Sequence, residues 1–374
     1  MNGTTAREHR ISAACAGALL VALGLCPSTA AGRDVVKLKD GSTFEGKITA
    51  LAAAEVRIEA DGKPQAFPNA DVMSFALDDA PPSVRQGDTF STAGDFERAI
   101  GAYQAALSDV SRGRARGLHR PLILQKLARA HRAHGNIEAA LTALGALRAE
   151  GRDTRLYADS FRDSIEAARQ RKERTSLETV LAVMEQESEP LASAARLERG
   201  KMRLEMGDAA GAREIFESLL AAKGMPHTSE ARAWSLRALR RGGGPDEIEA
   251  ACRAAIESDG SSPSLLQTAH ALLGEAQLES ARKGTAGAAR ESFLAFARAL
   301  AQGPSSGEGN PEDYARALLG AARASALLSS ADAPPEARRH YRIRAQGYLR
   351  EATRTFKGTP WAKEASDELA RLGE

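Results

Sequence analysis

Cysteine is scarce: the 374 residues hold three, and Cys15 and Cys26 fall in the first thirty-one, which leaves Cys252 alone in the rest of the chain. A single thiol excludes an intrachain disulfide framework. On an Ala-rich stretch, Cys252 reads as a small core residue rather than a reactive thiol. Aromatics are only 5% of the residues, so the core must be built from Ala and Leu, as in packed amphipathic helices. Neither sign of charge prevails, with 51 Lys and Arg against 49 Asp and Glu, a formal +2. Loss of residues 1–31 would remove Arg7, Glu8 and Arg10 and leave +1. Such balance gives no global field toward nucleic acid or an anionic membrane. The one long apolar run, Ile11 to Leu25, is shorter than the ~20 residues of a membrane-spanning helix.

That run has its own meaning. Arg7, His9 and Arg10 precede it and Pro27-Ser28-Thr29-Ala30-Ala31 follows it, the order of a basic region, an apolar region and a small-residue cleavage site. Residues 1–31 are therefore expected to be a signal peptide, and the chain an exported, periplasmic or envelope-associated protein. Membrane attachment would come only from an uncleaved signal or from a lipid on Cys26. Against the lipid, Leu25 stands where a lipidated Cys normally has a small neighbour.

Residues 34–79 read as a small β-module. Val35 to Lys39 and Thr43 to Ile48 alternate around Asp40-Gly41, a two-residue hairpin signal, and Val56 to Glu59 and Asp71 to Phe75 supply further short strands, four or five in all. Asp61-Gly62 and Phe67-Pro68-Asn69 read as turns. The "LKDGSTFEGKI" hairpin resembles those of SH3-like or Sm-like small barrels. Asp78 to Pro82 is expected to act as a hinge.

From Ser83 onward helical periodicity takes over. Gly87, Phe90, Gly94-Asp95-Phe96, Ala99, Tyr103 and Ala106 recur in register as Leu127-Ala128, Gly135-Asn136-Ile137, Ala140 and Leu144, then as Gly200, Gly207-Asp208-Ala209, Ala212 and Phe216. Small residues at helix crossings allow close approach, an aromatic fills the space between units, and the Gly-Asp or Gly-Asn pair makes the turn. One such unit cannot bury its own apolar face, so copies must stack. This pattern resembles the tetratricopeptide repeat family. The resemblance implies a mainly α fold, a right-handed α-solenoid of about six helix pairs preceded by the β-module.

Residues 83–301 are read as repeats, 302–313 as a flexible loop and 314–374 as a last repeat with a capping helix. Residues 155–190 fit as a divergent pair, and in 265–301 Leu273-Gly274 and Phe293 take the family positions. The ending from Thr359 resembles the closing helix of exported bacterial repeat proteins of the outer-membrane assembly and cell-division coordinator kind.

Motifs for chemistry are thin. Gly41 to Lys47 fits G-x-x-x-x-G-K, but Ile48 stands where Ser or Thr would hold magnesium, and a hairpin arm is not a strand-to-helix loop. His131 and His134 share a helix face without a third ligand nearby. Carboxylates interleave with arginine at helical spacing, as in Glu336-Ala-Arg338-Arg339 and Glu364 to Glu368, the look of solvated faces with i to i+4 pairs. Two basic clusters, Arg112, Arg114, Arg116 and Arg120, and Arg169, Arg171, Lys172 and Arg174, could serve an anionic partner. No aromatics interleave with them for base stacking. No enzyme, cofactor or metal site is expected, and the partner is expected to be protein, not nucleic acid.

In the repeat family the first helix of each pair lines a concave groove that takes a partner segment. Carried onto this register, the resemblance implies Val84, Asp88 and Ser91, then Gln125, Arg129 and Arg132, then Leu197, Lys201 and Leu204. Arg129, Arg132 and Lys201 would suit a carboxylate-bearing ligand. The family's carboxylate clamp uses Asn, and none of these positions is Asn. The expected function is a non-catalytic envelope scaffold. The alternatives are an envelope-assembly or cell-wall-associated factor and, in another class, an envelope enzyme with a site in the β-module, which loss of function in Lys47→Ala would favour.

Overall fold

A computed structural model describes residues 33–171, 174–222, 227–258, 262–303, 311–330 and 333–373. The expected signal segment with Cys15 and Cys26, Lys172, and residues 304–310 of the expected loop lie outside the described residues. Two compact units form: one holds the described residues up to Leu127 together with Glu150–Leu156, the other Ala128–Ala149 and the chain from Tyr157 onward.

The first unit begins with five antiparallel strands, β1 (Asp34–Leu38), β2 (Thr43–Leu51), β3 (Glu55–Ala60), β4 (Lys63–Pro68) and β5 (Val72–Ala76), in the order β4-β3-β2-β1-β5. A bulge between Ile48 and Ala50 lets the long β2 serve both β1 and β3. Val36, Ile48, Leu51, Val56, Ile58 and Val72 thereby meet in one core. The two Asp-Gly signals part company. Asp61 and Gly62 both take positive φ and join β3 to β4 as a two-residue turn. At Asp40-Gly41 only the glycine does, and the loop has three residues, closed by Leu38 N–H to the Ser42 carbonyl at 2.8 Å. Strand β4 escapes a reading by turn signals because it carries Pro64 and Pro68; it is an edge strand, where missing donors cost nothing.

The segment expected to hinge is instead pinned. Asp34, buried at one end of β1, accepts from the Ile48 and Asp78 N–H groups at 2.7 and 2.9 Å and from Arg116 at 2.9 Å. Arg116 also donates to Asp79 at 2.5 Å and to the Ile48 carbonyl at 2.9 Å, and His119 sits 2.9 Å from Asp79. Burial pushes the Asp79 carboxyl up, but hydrogen bonds and charge from Arg116 and His119 together hold it below the usual carboxylate range. A further bridge, Ala52 to Thr154, ties the β2–β3 connection to Glu150–Leu156.

Fifteen helices follow among the described residues: α1 (Pro82–Thr92), α2 (Phe96–Ser111), α3 (His119–Ala133), α4 (Ile137–Glu150), α5 (Leu156–Arg171), α6 (Arg174–Met184), α7 (Leu191–Glu205), α8 (Ala209–Ala221), α9 (Thr228–Gly242), α10 (Pro245–Glu257), α11 (Pro263–Arg282), α12 (Ala288–Ala301), α13 (Pro311–Ser330), α14 (Pro335–Thr355) and α15 (Pro360–Gly373). They make seven consecutive pairs and a closing helix, one pair more than the sequence pattern suggests. The last pair opens at Pro311, three residues before the expected boundary at 314.

The repeat signature has a visible cause. Gly94, Gly135 and Gly207 each adopt positive φ, and the next residue's N–H reaches back five residues, Asp95 to Phe90, Asn136 to His131 and Asp208 to Arg203. This closes the first helix of each pair in the same way. Asp95 and Asp208 then cap the second helix by accepting from the Arg98 and Gly211 N–H groups. At the crossings a Cβ on Gly87 would stand 2.5 Å from the Tyr103 ring, and one on Gly200 would strike Phe216. In the sixth pair the aromatic is Phe296, fully buried, with Gly274 and Gly320 both against its ring. Phe293, three residues earlier, packs with Tyr348 instead; the longer turn after α11 shifts the register by about one helical turn. Cys252 is wholly buried in the core with Ala233, Leu236 and Leu272, and burial pushes its thiol up to about 12.

Candidate functional groove

In the second unit the first helices of successive pairs lie side by side. There α5 contributes Ala158, Arg162, Ile165, Glu166 and Arg169 at spacings of three and four, one stripe of a helix. Helix α7 contributes Ala194, Leu197, Glu198, Lys201 and Glu205 by the same spacing, and α9 adds Glu230 and Trp234. Between them, with Met184 and His227, they enclose a groove of about 460 Å³. Its floor is apolar, with Ile165, Met184, Leu197 and Trp234, and its walls are charged.

Those charges are coupled across helices. Arg169 donates to Glu198 and Glu205 at 2.8 and 2.9 Å, and Lys201 to Glu198 and Glu230, both at 2.6 Å. Burial alone would lower Arg169, but the two carboxylates more than offset it and hold the guanidinium above its ordinary value. Trp234 is flanked by Lys201 at 5.4 Å and Arg237 at 4.4 Å from its ring centre. The pattern continues beyond the groove. Arg237 donates to buried Asp313 at 2.5 Å, where the Thr268 hydroxyl also donates at 2.7 Å, while Arg240 and Arg316 share Glu275. Arg323 pairs with Glu364 and Glu368 of α15, so these carboxylates bridge helices and do not serve i to i+4 pairs within α15.

The residues carried over from the family separate on this geometry. Leu197 and Lys201 line the groove. Arg129 pairs with Asp163 at 3.1 Å and Arg132 with Glu166, so α3 is joined to α5 by two ion pairs. Gln125 and Leu204 are buried, and Leu204 packs in the core with Phe216. In the first unit Asp88 accepts from both Lys126 at 2.6 Å and Tyr103 at 2.8 Å, while Val84 is buried and Ser91 is partly so. Each groove cation of the expected carboxylate-binding set therefore already faces a carboxylate of a neighbouring helix. The residues that sequence reasoning passed over are Trp234, Met184, Arg162 and the partners Glu198 and Glu230. Trp234 and Met184 left a local trace, Trp234 at a repeat position of α9 and Met184 in the helical periodicity of α6.

Other motifs resolve plainly. Gly41 to Lys47 is a hairpin and its second arm, with no helix after it. No group of three metal-ligating side chains occurs among the described residues. His131 is held below its ordinary pKa by burial and by His134. Of the first basic cluster, Arg114 pairs with Asp109, Arg116 with Asp34 and Asp79, and Arg120 with Glu150. Of the second, Arg174 pairs with Glu178.

No family model matches the chain, and no curated protein matches its sequence. Among solved structures it is similar to a tetratricopeptide repeat protein from Parabacteroides merdae, at 14% identity over 78% of this chain and 96% of that one, with a TM-score of 0.45. It is also similar to the C-terminal part of a TPR repeat-containing protein from Cytophaga hutchinsonii, at 9% identity over 75% and 98%, TM-score 0.43. A third is PilW, a type IV pilus biogenesis factor, at 13% identity over 65% and 97%, TM-score 0.42. The repeat type is decided by the chain's own turns and crossings: with glycine-closed first helices, Asp caps and Gly-on-aromatic contacts recurring along the chain, its helix pairs are tetratricopeptide-type repeats, preceded by a five-stranded module.

Proposed function

We propose that the chain is a non-catalytic interaction scaffold of the bacterial cell envelope, reached through the N-terminal signal, and that it holds a segment of a partner protein in the groove of α5, α7 and α9. One observation carries this reading: the groove combines an apolar floor on three helices with walls whose charges are already matched, Arg169 and Lys201 against Glu198, Glu205 and Glu230. Affinity then comes from apolar anchors in the partner, with Trp234 and Ile165 as their seat, and the paired charges set orientation more than strength. A partner segment with two or three apolar side chains on one face fits such a floor, as an amphipathic helix does in a groove.

The test uses Ala158, exposed at the groove wall. Ala158→Trp fills the space without entering the core, so the folded protein keeps its unfolding midpoint while capture of the partner from envelope extract falls at least tenfold. Unchanged capture by a folded Ala158→Trp protein would remove the groove from the account.

A further inference from the structure

Helix α14 departs from the cross-helix pairing of α5, α7 and α9. From Pro335 to Lys357 it and its end carry seven basic residues and two acidic ones. Arg338, Arg339, Arg342, Arg350 and Arg354 are all exposed and form no ion pair among the described residues. The expected pairing of Glu336 with this run does not occur, and Glu351 instead accepts from Tyr314 at 3.1 Å. Like charges stand at i and i+4, Arg338 with Arg342 and Arg350 with Arg354, a spacing that weakens a helix. Arg338 and Arg339 also crowd its positive N-terminal end. Among the described residues no carboxylate answers these five arginines.

The outward stripe has further features. Arg339, Ile343, Gly347, Arg350 and Arg354 follow one another at spacings of four, four, three and four, opposite the buried Ala345, Leu349 and Ala352. Ile343 is 55% exposed at its middle. A Cβ on Gly347 would meet nothing within 4 Å, so this helix-weakening glycine answers no internal contact and leaves the backbone open to close approach from outside. The stripe from Arg339 to Arg354 runs about 22 Å along one side of a helix. Tyr341 and Tyr348 are turned partly inward, which takes away the stacking faces that a nucleic acid needs. A straight line of arginines around one aliphatic side chain suits a flat sheet of phosphates with a hydrocarbon layer beneath it.

We propose that the outer face of α14 docks on an anionic phospholipid surface, with Arg339, Arg350 and Arg354 at the headgroup phosphates and Ile343 entering the interface. This surface is separate from the groove, so the two readings stand or fall independently.

Full-length protein is incubated with vesicles of phosphatidylcholine and with vesicles containing about one third phosphatidylglycerol, and partitioning is read by co-sedimentation. An apolar leader would bind both, so the readout is the preference for anionic vesicles. That preference is expected to fall about 100-fold in Arg339→Gln/Arg350→Gln/Arg354→Gln, each arginine supplying about fivefold, and to vanish at high salt. Arg253→Gln, at an arginine paired with Glu249, leaves it unchanged. Ile343→Trp shifts its fluorescence to the blue on anionic vesicles. Equal binding to both vesicle types, no loss in the triple variant, or tighter arginine-dependent binding to polyglutamate or duplex DNA would overturn the proposal.

Discussion

The first helices of the pairs and helix α14 use the same residue, arginine, in opposite ways. Along α3, α5, α9 and α13, arginines reach carboxylates of the next helix in that layer, Arg129 to Asp163, Arg169 to Glu198, Arg240 to Glu275 and Arg323 to Glu364, and on α7 Lys201 does the same to Glu230. Along α14 five arginines reach none among the described residues. In a stack of repeats each helix is wedged between neighbours, and a charge on the shared face must be answered there. On an outward face no neighbour supplies the answer, and a charge that persists against local repulsion points to something outside the chain. The abundance of arginine therefore says little; its partners separate a structural charge from an available one.

The sharpest way to break the comparison is at its most buried ion pair. The side chains of Arg237 and Asp313 are 13% and 2% exposed, so Asp313→Ala strands a charge and lowers stability by about 3–5 kcal/mol in urea unfolding, while Arg237→Met/Asp313→Leu recovers most of the loss. At the exposed end of the series, Arg213 and Glu247, with 42% and 51% of their side chains exposed, are worth less: Arg213→Ala costs about 0.2–1 kcal/mol in the same measurement.

The β-module latch offers a comparison within the first unit. The Asp79 carboxyl titrates below the ordinary aspartate value of 3.8 when folded. Its contribution is therefore complete above that value and is lost as pH falls through the lowered one. The hydrogen-exchange protection factors of residues 34–79, taken relative to the intrinsic rate at each pH, are expected to fall on acidification to pH 3 in the parent protein, and Asp79→Asn to show a smaller fall between pH 6 and pH 3. The smallest effect has the opposite sign. Arg338→Gln removes both an i to i+4 repulsion with Arg342 and a cation from the positive N-terminal end of α14, and is expected to raise the unfolding midpoint by the equivalent of about 0.2–0.5 kcal/mol.

The sequence exposes what is local. Gly94-Asp95 and Gly207-Asp208 announce their turns because both the positive φ and the cap sit within a few residues. Gly87 with Tyr103 and Gly200 with Phe216 are legible at a fixed spacing of sixteen. The spacing from Gly274 to Phe296 is longer, which is why Phe293 looks like the packing residue there. Strand β4 is obscured by Pro64 and Pro68, which only an edge position accommodates. The groove is harder to read. Lys201 meets Glu230 across 29 residues, Arg129 meets Asp163 across 34, and Arg237 meets Asp313 across 76. Such partners depend on how far each turn rotates one pair against the next, and no window of sequence contains that. Leu197 and Lys201 could be placed in the groove from the repeat register, whereas Met184 arrives from a second helix, α6, that the register assigns to the other layer.

The central claim is that the groove of α5, α7 and α9 is where a partner protein sits. A photoreactive amino acid in place of Ala158, at the groove wall, tests it most directly beside the same group in place of Glu249 on α10, outside the groove. The account predicts a protein adduct from position 158 that is absent from 249 and is suppressed when Ala194 on the facing wall is replaced by Trp. Identical adducts from both positions, or an adduct from 158 that Ala194→Trp leaves untouched, would contradict it.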